Sequence, residues 1–323
     1  LLLVPSGETL SIVGGNIDIL GATLVAPNGN INLASVTSIG EVPVRPADLQ
    51  VENFESLGNI NITESPLLDT SGAEGGTVVI RGGRLLVGGS TLVSSTTLGA
   101  ENGSTPGIDL EVAEDIHLEN GAVILTDTQG EGNARNIFLK TEILELNESV
   151  VLSNSTSKGN AGSVGIDVDQ LSLTKGALIG SSSDASGKAG VVTVQATDSV
   201  SVLGRDSAGA RSLIFSTTRG DGDAGGISLS TRALRLDAGV ISGGTTAGGG
   251  GGDIGITVDQ LTLTGGALIE NTTFGEGKGG TVAVEAKESL SISGETDDGF
   301  PSSILSLAFD KGDAGNIFLS SRN

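Results

Sequence analysis

The stretch VGIDVDQLSLTKGALIG at residues 164–180 returns as IGITVDQLTLTGGALIE at 254–270, ninety positions on and without a gap. GNARNIFLK at 132, GDAGGISLS at 222 and GDAGNIFLS at 312 keep the same interval, as do KAGVVTVQATDSVSVLG at 188 and KGGTVAVEAKESLSISG at 278. A fixed period constrains a fold more than any single motif, because each repeat must be one structural unit that packs on its neighbours. Within ninety residues lie three similar units, starting near Ala161–Gly162, Ala189–Gly190 and Ala224–Gly225, of 28, 35 and 27 residues. The longest carries an inserted loop.

Each unit reads as a Gly-rich turn, an alternating run such as Ile166, Val168, Leu171 and Leu173, a Gly-Ala step, and a third short apolar segment closing in Ser, Thr, Asn and Gly. Alternation of period two with dense turn residues indicates strands, and sustained helical periodicity is almost absent. Three short strands cannot bury an inner face alone. Stacked unit on unit, each strand pairs with its counterpart one coil away, which predicts an all-β parallel β-helix of three short strands per coil and about ten coils, roughly 50 Å long. A β-sandwich explains tandem three-strand units less well. The Val and Leu of VDQL are expected to point inward around a polar bend, and the Gly of GALI to turn a corner.

Composition narrows the function. With 52 Gly, 7 Phe and no Cys, Met, Trp or Tyr, the chain offers no thiolate metal site and no rich aromatic platform. A net charge of −22, from 17 basic against 39 acidic residues, argues against nucleic-acid binding, which needs clustered cations. No run of eighteen apolar residues occurs, so a membrane-spanning helix is not expected. The opening LLLVPSGETL has no charged segment ahead of an apolar one and lacks a Met, as expected of a mature or excised fragment.

Residues 1–36, LLLVPSGETLSIVGGNIDILGATLVAPNGNINLASV, resemble the end of the haemagglutinin-type secretion domain of two-partner secretion exoproteins, the filamentous haemagglutinin type, especially the long cyanobacterial ones. GEVPVRPADLQVENFESLGNI is similar to the connector that follows that domain, and GGDIGITVDQLTLTGGALIENTTFGEGKGG at 251–280 to the tandem units beyond it. The resemblance implies secretion-domain coils over 1–40, a connector over 41–57 and β-helical repeats over 58–323. It also implies a right-handed coil, export through an outer-membrane barrel transporter, and a structural or adhesive role in the secreted or cell-surface compartment, with no cofactor.

Candidate chemistry is sparse. Asp167 and Asp169 flank Val168 and face outward together, the best pair for a polysaccharide-cleaving β-helix enzyme of pectate-lyase or polygalacturonase type. Yet Asp169 recurs as Asp259, as a solvated repeat face would, and no convergent acid set stands out. Asp221, Asp223, Asp310 and Asp313 lie in Gly/Asp loops like those that bind calcium in β-rolls, but their copies are ninety residues apart instead of nine. His117, the single histidine, is expected outward with no triad partner. Accordingly no catalytic, cofactor or metal residues are assigned. Phe138 and Phe318 are expected outward as isolated anchors. Alignment of the third segments TLV, AVI, VVL, ALI, LIF, GVI, ALI and SIL places Leu92, Val123, Val151, Leu178, Ile214, Val240, Leu268 and Ile304 outward as one apolar stripe. Such a ridge predicts a lateral contact for self-association or for a surface or glycan. Thr126, Asn154, Ser181, Thr217 and Asn271 are expected to stack inward as a polar ladder.

Overall fold

The computed structural model describes residues 1–45, 48–103 and 106–322. Among them every regular element is a strand. Eleven short strands form one parallel sheet and thirteen strands another, in an order that advances one coil at a time, so the chain is a parallel β-helix of about ten coils. No helix among the described residues is long and apolar enough to cross a membrane.

In most coils the first two expected strands run together as one bent strand, as in Val164–Thr174, and the third is separate, as in Leu178–Ser183. The bend falls at VDQL. Val168 and Leu171 are buried on either side of it, Asp169 and Gln170 are exposed, and the pairing to the next coil shifts register between Val168 and Gln170. Such a bulge lets a pleated strand turn without losing its inward alternation. The next corner uses left-handed backbone. Lys175 and Gly176 have φ of 51° and 74°, and Gly265 and Gly266 in the following super-repeat 63° and 76°. In the two longer coils this corner is replaced by projecting hairpins closed by Arg205 against Arg211 and Glu295 against Pro301.

The interior is apolar along the bent strands, where Ile166, Val194, Leu229, Ile256 and Val284 stack in one column. It becomes hydroxyl-rich toward the end of each short strand. Ser95, Thr126, Ser153, Ser181, Ser216 and Asn271 are fully buried in one ladder. They join the turn before the strand to the turn that follows it: Ser181 Oγ donates to Gly162 O at 3.0 Å and accepts from Gly190 N at 2.7 Å. Ser216 Oγ donates to Gly190 O at 2.9 Å. Ser95, Ser153, Ser181, Ser216 and Asn271 thus satisfy backbone groups of the Gly-rich turns, while Thr126 Oγ1 donates to Ser153 Oγ at 2.9 Å. Asn154 and Thr217, expected in this ladder, lie one residue further along on the outward face; Ser153 and Ser216 hold the inward places.

Glycine in those turns is required by contact. A Cβ on Gly187 would lie 2.0 Å from Gly159 O, on Gly222 2.0 Å from Gly187 O, and on Gly249 1.9 Å from Gly222 O. A second column, Gly190, Gly225 and Gly252, is equally tight. Arg135 stands where most coils have the second glycine, with Pro106 in the coil before it. Its stem runs past Gly107 and Gly103, and its buried guanidinium donates to Gly75 O at 2.6 Å and Thr77 Oγ1 at 3.3 Å. Burial lowers its pKa from the ordinary value, against the opposing field of Glu74.

Residues 36–45 and 48–58 lie outside the solenoid between Asn30–Ser35 and Asn59–Thr63, and include the antiparallel pair Val44–Arg45 and Asp48–Leu49. Leu49 and Val51 pack outside the barrel on Ala34 and Val79, with Phe54 and Leu57 beside them. The stacked strands continue on both sides of these residues, Ile17–Leu20 pairing directly with Asn59–Thr63.

Candidate interaction surface

The two sheets present unlike faces. Outward positions of the thirteen-stranded sheet carry Asp109, Glu111, Lys140, Glu142, Asp167 and Asp169, with more charges beyond. The short strands from Leu67–Asp69 to Ser303–Ala308 hold only Asp69, Asp127 and Glu270 as charged residues.

On this second sheet, Leu67, Leu92, Val123, Val150, Leu178, Leu213, Val240 and Leu268 pair in register as one outward column. All are half-buried except Val240, which is 7% exposed. Two residues along, the second outward column runs Ser94, Leu125, Leu152, Gly180, Phe215, Ser242, Glu270 and Leu305, apolar at Leu125, Leu152, Phe215 and Leu305. The face is therefore apolar across both columns in the coils of Leu125, Leu152 and Phe215.

The expected stripe divides between two ladders. Leu92, Val123, Leu178, Val240 and Leu268 belong to the outward one. Val151, Ile214 and Ile304 do not: they pair with Val93, Ile124, Ile179, Ile241 and Ile269 in the core column, Val151 and Ile214 fully buried and Ile304 packed against the core. The cause is an offset of one residue, which turns every side chain of a strand to the opposite face. Corner positions are Thr91, Ala122, Ala177, Gly239 and Ala267 in five coils but Ser149, Ser212 and Ser302 in the other three. In those three the apolar triplet starts one position later. The buried serines mark the frame: Ser149 Oγ donates to Leu118 O at 3.0 Å and Ser212 Oγ to Leu203 O at 2.7 Å. Val150 and Leu213 are the outward residues in their coils.

Two carboxyls on this face are shifted. Burial pushes Glu270 above its ordinary value, opposed by a hydroxyl contact from Ser242 at 3.4 Å and the field of Arg211. Burial likewise raises Asp127, although Gln129 and Asn154 both donate to it at 3.2 Å. Arg211, on one projecting hairpin, reaches two coils on to donate to Gly266 O at 2.9 Å, across the coil that carries Val240.

On the other sheet, Asp167 and Asp169 face outward as expected, in a groove of about 450 Å³ below Phe54 that also takes in Arg81, Glu111 and Lys140. Several charges in and beside it are engaged between coils. Lys140 Nζ lies 2.6 Å from Glu111, Arg81 lies 2.8 Å from Asp109, and the Thr197 hydroxyl donates to Asp169. His117 is outward, 3.4 Å from Asp115 and 3.2 Å from Glu145. Asp223 pairs with Lys188 at 2.8 Å, which lowers its pKa, and accepts from Gly250 N. Among the described residues no three His, Cys, Asp or Glu side chains gather as metal ligands. Phe138 and Phe318 are exposed, six coils apart in one column with Ser228 between them.

Comparison with protein families, with curated proteins and with solved structures finds no match.

Proposed function

We propose that this chain is the rod of a secreted or cell-surface exoprotein of the two-partner secretion type, exported through an outer-membrane barrel transporter. Its role is structural or adhesive and non-catalytic, displaying a contact face by which rods associate laterally or meet another surface. The observation that carries this reading is the segregation of charge: acids and bases crowd one sheet, while the other presents one outward apolar column over consecutive coils, broadened by Leu125, Leu152 and Phe215 beside it. A continuous apolar patch on an acidic chain is the usual mark of a protein contact. The resemblance of residues 1–36 to a secretion-domain end supports export. In the opposite groove Glu111 is tied to Lys140 and Asp169 to Thr197, which favours a structural reading of these two over acid–base chemistry.

Sedimentation velocity tests the contact. The Leu178→Gln/Leu213→Gln/Leu268→Gln variant changes only outward side chains and should stay folded while its association weakens by about tenfold or more. Association equal to that of the wild type in the folded variant would remove the apolar face as the interface.

A further inference from the structure

At the carboxy-terminal half of the apolar face the row of outward side chains is interrupted. The strand Val240–Thr245 presents Ser242 and Gly244 outward, followed by Thr246. The coil before it presents Phe215, Thr217 and Arg219, and the coil after it Glu270, Thr272 and Phe274. Small residues between two rows of larger ones leave a trough of about 380 Å³ running along the strand. Its walls stand two strand spacings apart, about 9.6 Å, and from Ser242 to Thr246 it is about 13 Å long.

Each wall is built for it. Phe215 leans away over Gly180, where any Cβ would meet the ring at 2.4 Å, and so widens the trough. Phe274 is held at the far end by stacking on Phe309, centroids 4.9 Å apart and rings 8° from parallel, while 51% of it remains exposed. Arg219 is fixed by Asp184 at 2.7 Å. Glu270 has one hydrogen-bond contact, from Ser242, and burial already disfavours its charge.

We propose that this trough is a binding site for a short linear glycan of neutral hexopyranose or N-acetylhexosamine residues. The proposal rests on the contact-face reading and gives that face a ligand. The floor is the middle of a sheet, paired on both sides, so it has no free backbone edge on which an extended peptide could add as a strand. Recognition must come from side chains. Those present are threonine and serine hydroxyls, one carboxylate and one guanidinium to bond sugar hydroxyls, and aromatic faces at both ends to cover the apolar faces of sugar rings. The net charge of −22 disfavours nucleic acid or acidic polysaccharide.

Isothermal titration of cellotetraose and chitotetraose into the folded protein tests it, with Ser242→Leu and Phe274→Ala as variants. Leucine occupies the matching column at 125, 152 and 305, so Ser242→Leu should fold while filling the trough. At least one sugar should bind, and each variant should weaken that binding by about tenfold or more. The Leu92→Gln/Val123→Gln variant, on distant coils, should change association by sedimentation and leave sugar affinity within about twofold. No binding of either sugar at about 10 mM, or equal binding by wild type and both variants, overturns the site. A response to spermidine in place of the sugars overturns it in favour of cation capture. Persisting lateral association alongside absent sugar binding would sink the trough alone and leave the contact face standing.

Discussion

At the scale of the residue, the chain places polar atoms inside wherever a turn needs them and accepts a cost where an outer face is apolar. Glu270 shows the cost. Its carboxyl is raised by burial, so in the window above its ordinary value the folded state holds a proton that the unfolded state has lost. The unfolding free energy then falls as pH rises through that window, and the contribution is fully present only below it. Asp127 acts in the same sense, whereas Asp223, lowered by Lys188, loses its contribution as pH falls. Glu270→Gln removes one titration. Urea midpoints near pH 4 and near pH 7.5 should show the variant gaining relative to wild type at the higher pH; an equal difference at both would show that the carboxyl is not shifted by folding.

At the scale of the element, the turn between short and long strands is the tightest part of the coil. Gly222→Ala puts a methyl 2.0 Å from the Gly187 carbonyl, against the backbone of the preceding coil, and should cost about 1–3 kcal/mol by denaturant titration. The same change at Gly204, with left-handed φ but no atom within 4 Å, tests conformational strain alone and should cost less. Why these elements could be read in advance, and where that stops, has a physical basis. The bend at VDQL and the corner at GALI follow from residue types whose preferences are local, and both stand where alternation puts them. The outward column was half legible. Alternation fixes faces within a strand, but a short apolar triplet does not show where its strand begins, and Ser149, Ser212 and Ser302 each look like loop residues while being buried corners. Arg135 was illegible for another reason. A charged residue replacing a glycine reads as surface, and only the missing side chains of Gly103 and Gly107 in the coil below give it a passage inward.

At the scale of the whole molecule, the two faces divide labour. Charge on the thirteen-stranded sheet holds copies apart on that side, and contact is directed to the other, so lateral association through the apolar face would pair rods in a defined orientation. The trough lies on that same face, near one end of it, among coils that the Leu92 and Val123 end does not touch.

The bonds that join one coil to the next have a consequence under load. They run along the rod, and the chain winds around it, so tension applied between the two chain ends does not strain the whole stack at once. It concentrates on the outermost turn, which must come away before the next is loaded. Extension should therefore proceed by unspooling in discrete events, each freeing about 28 residues or roughly 100 Å of contour. The two hairpin-bearing turns would give steps longer by about a quarter. Force spectroscopy would display this as a near-regular staircase; one abrupt release of the full length would mean that the turns fail together. A fibre made of such rods would yield gradually to a pull, dissipating work turn by turn and leaving the remainder wound.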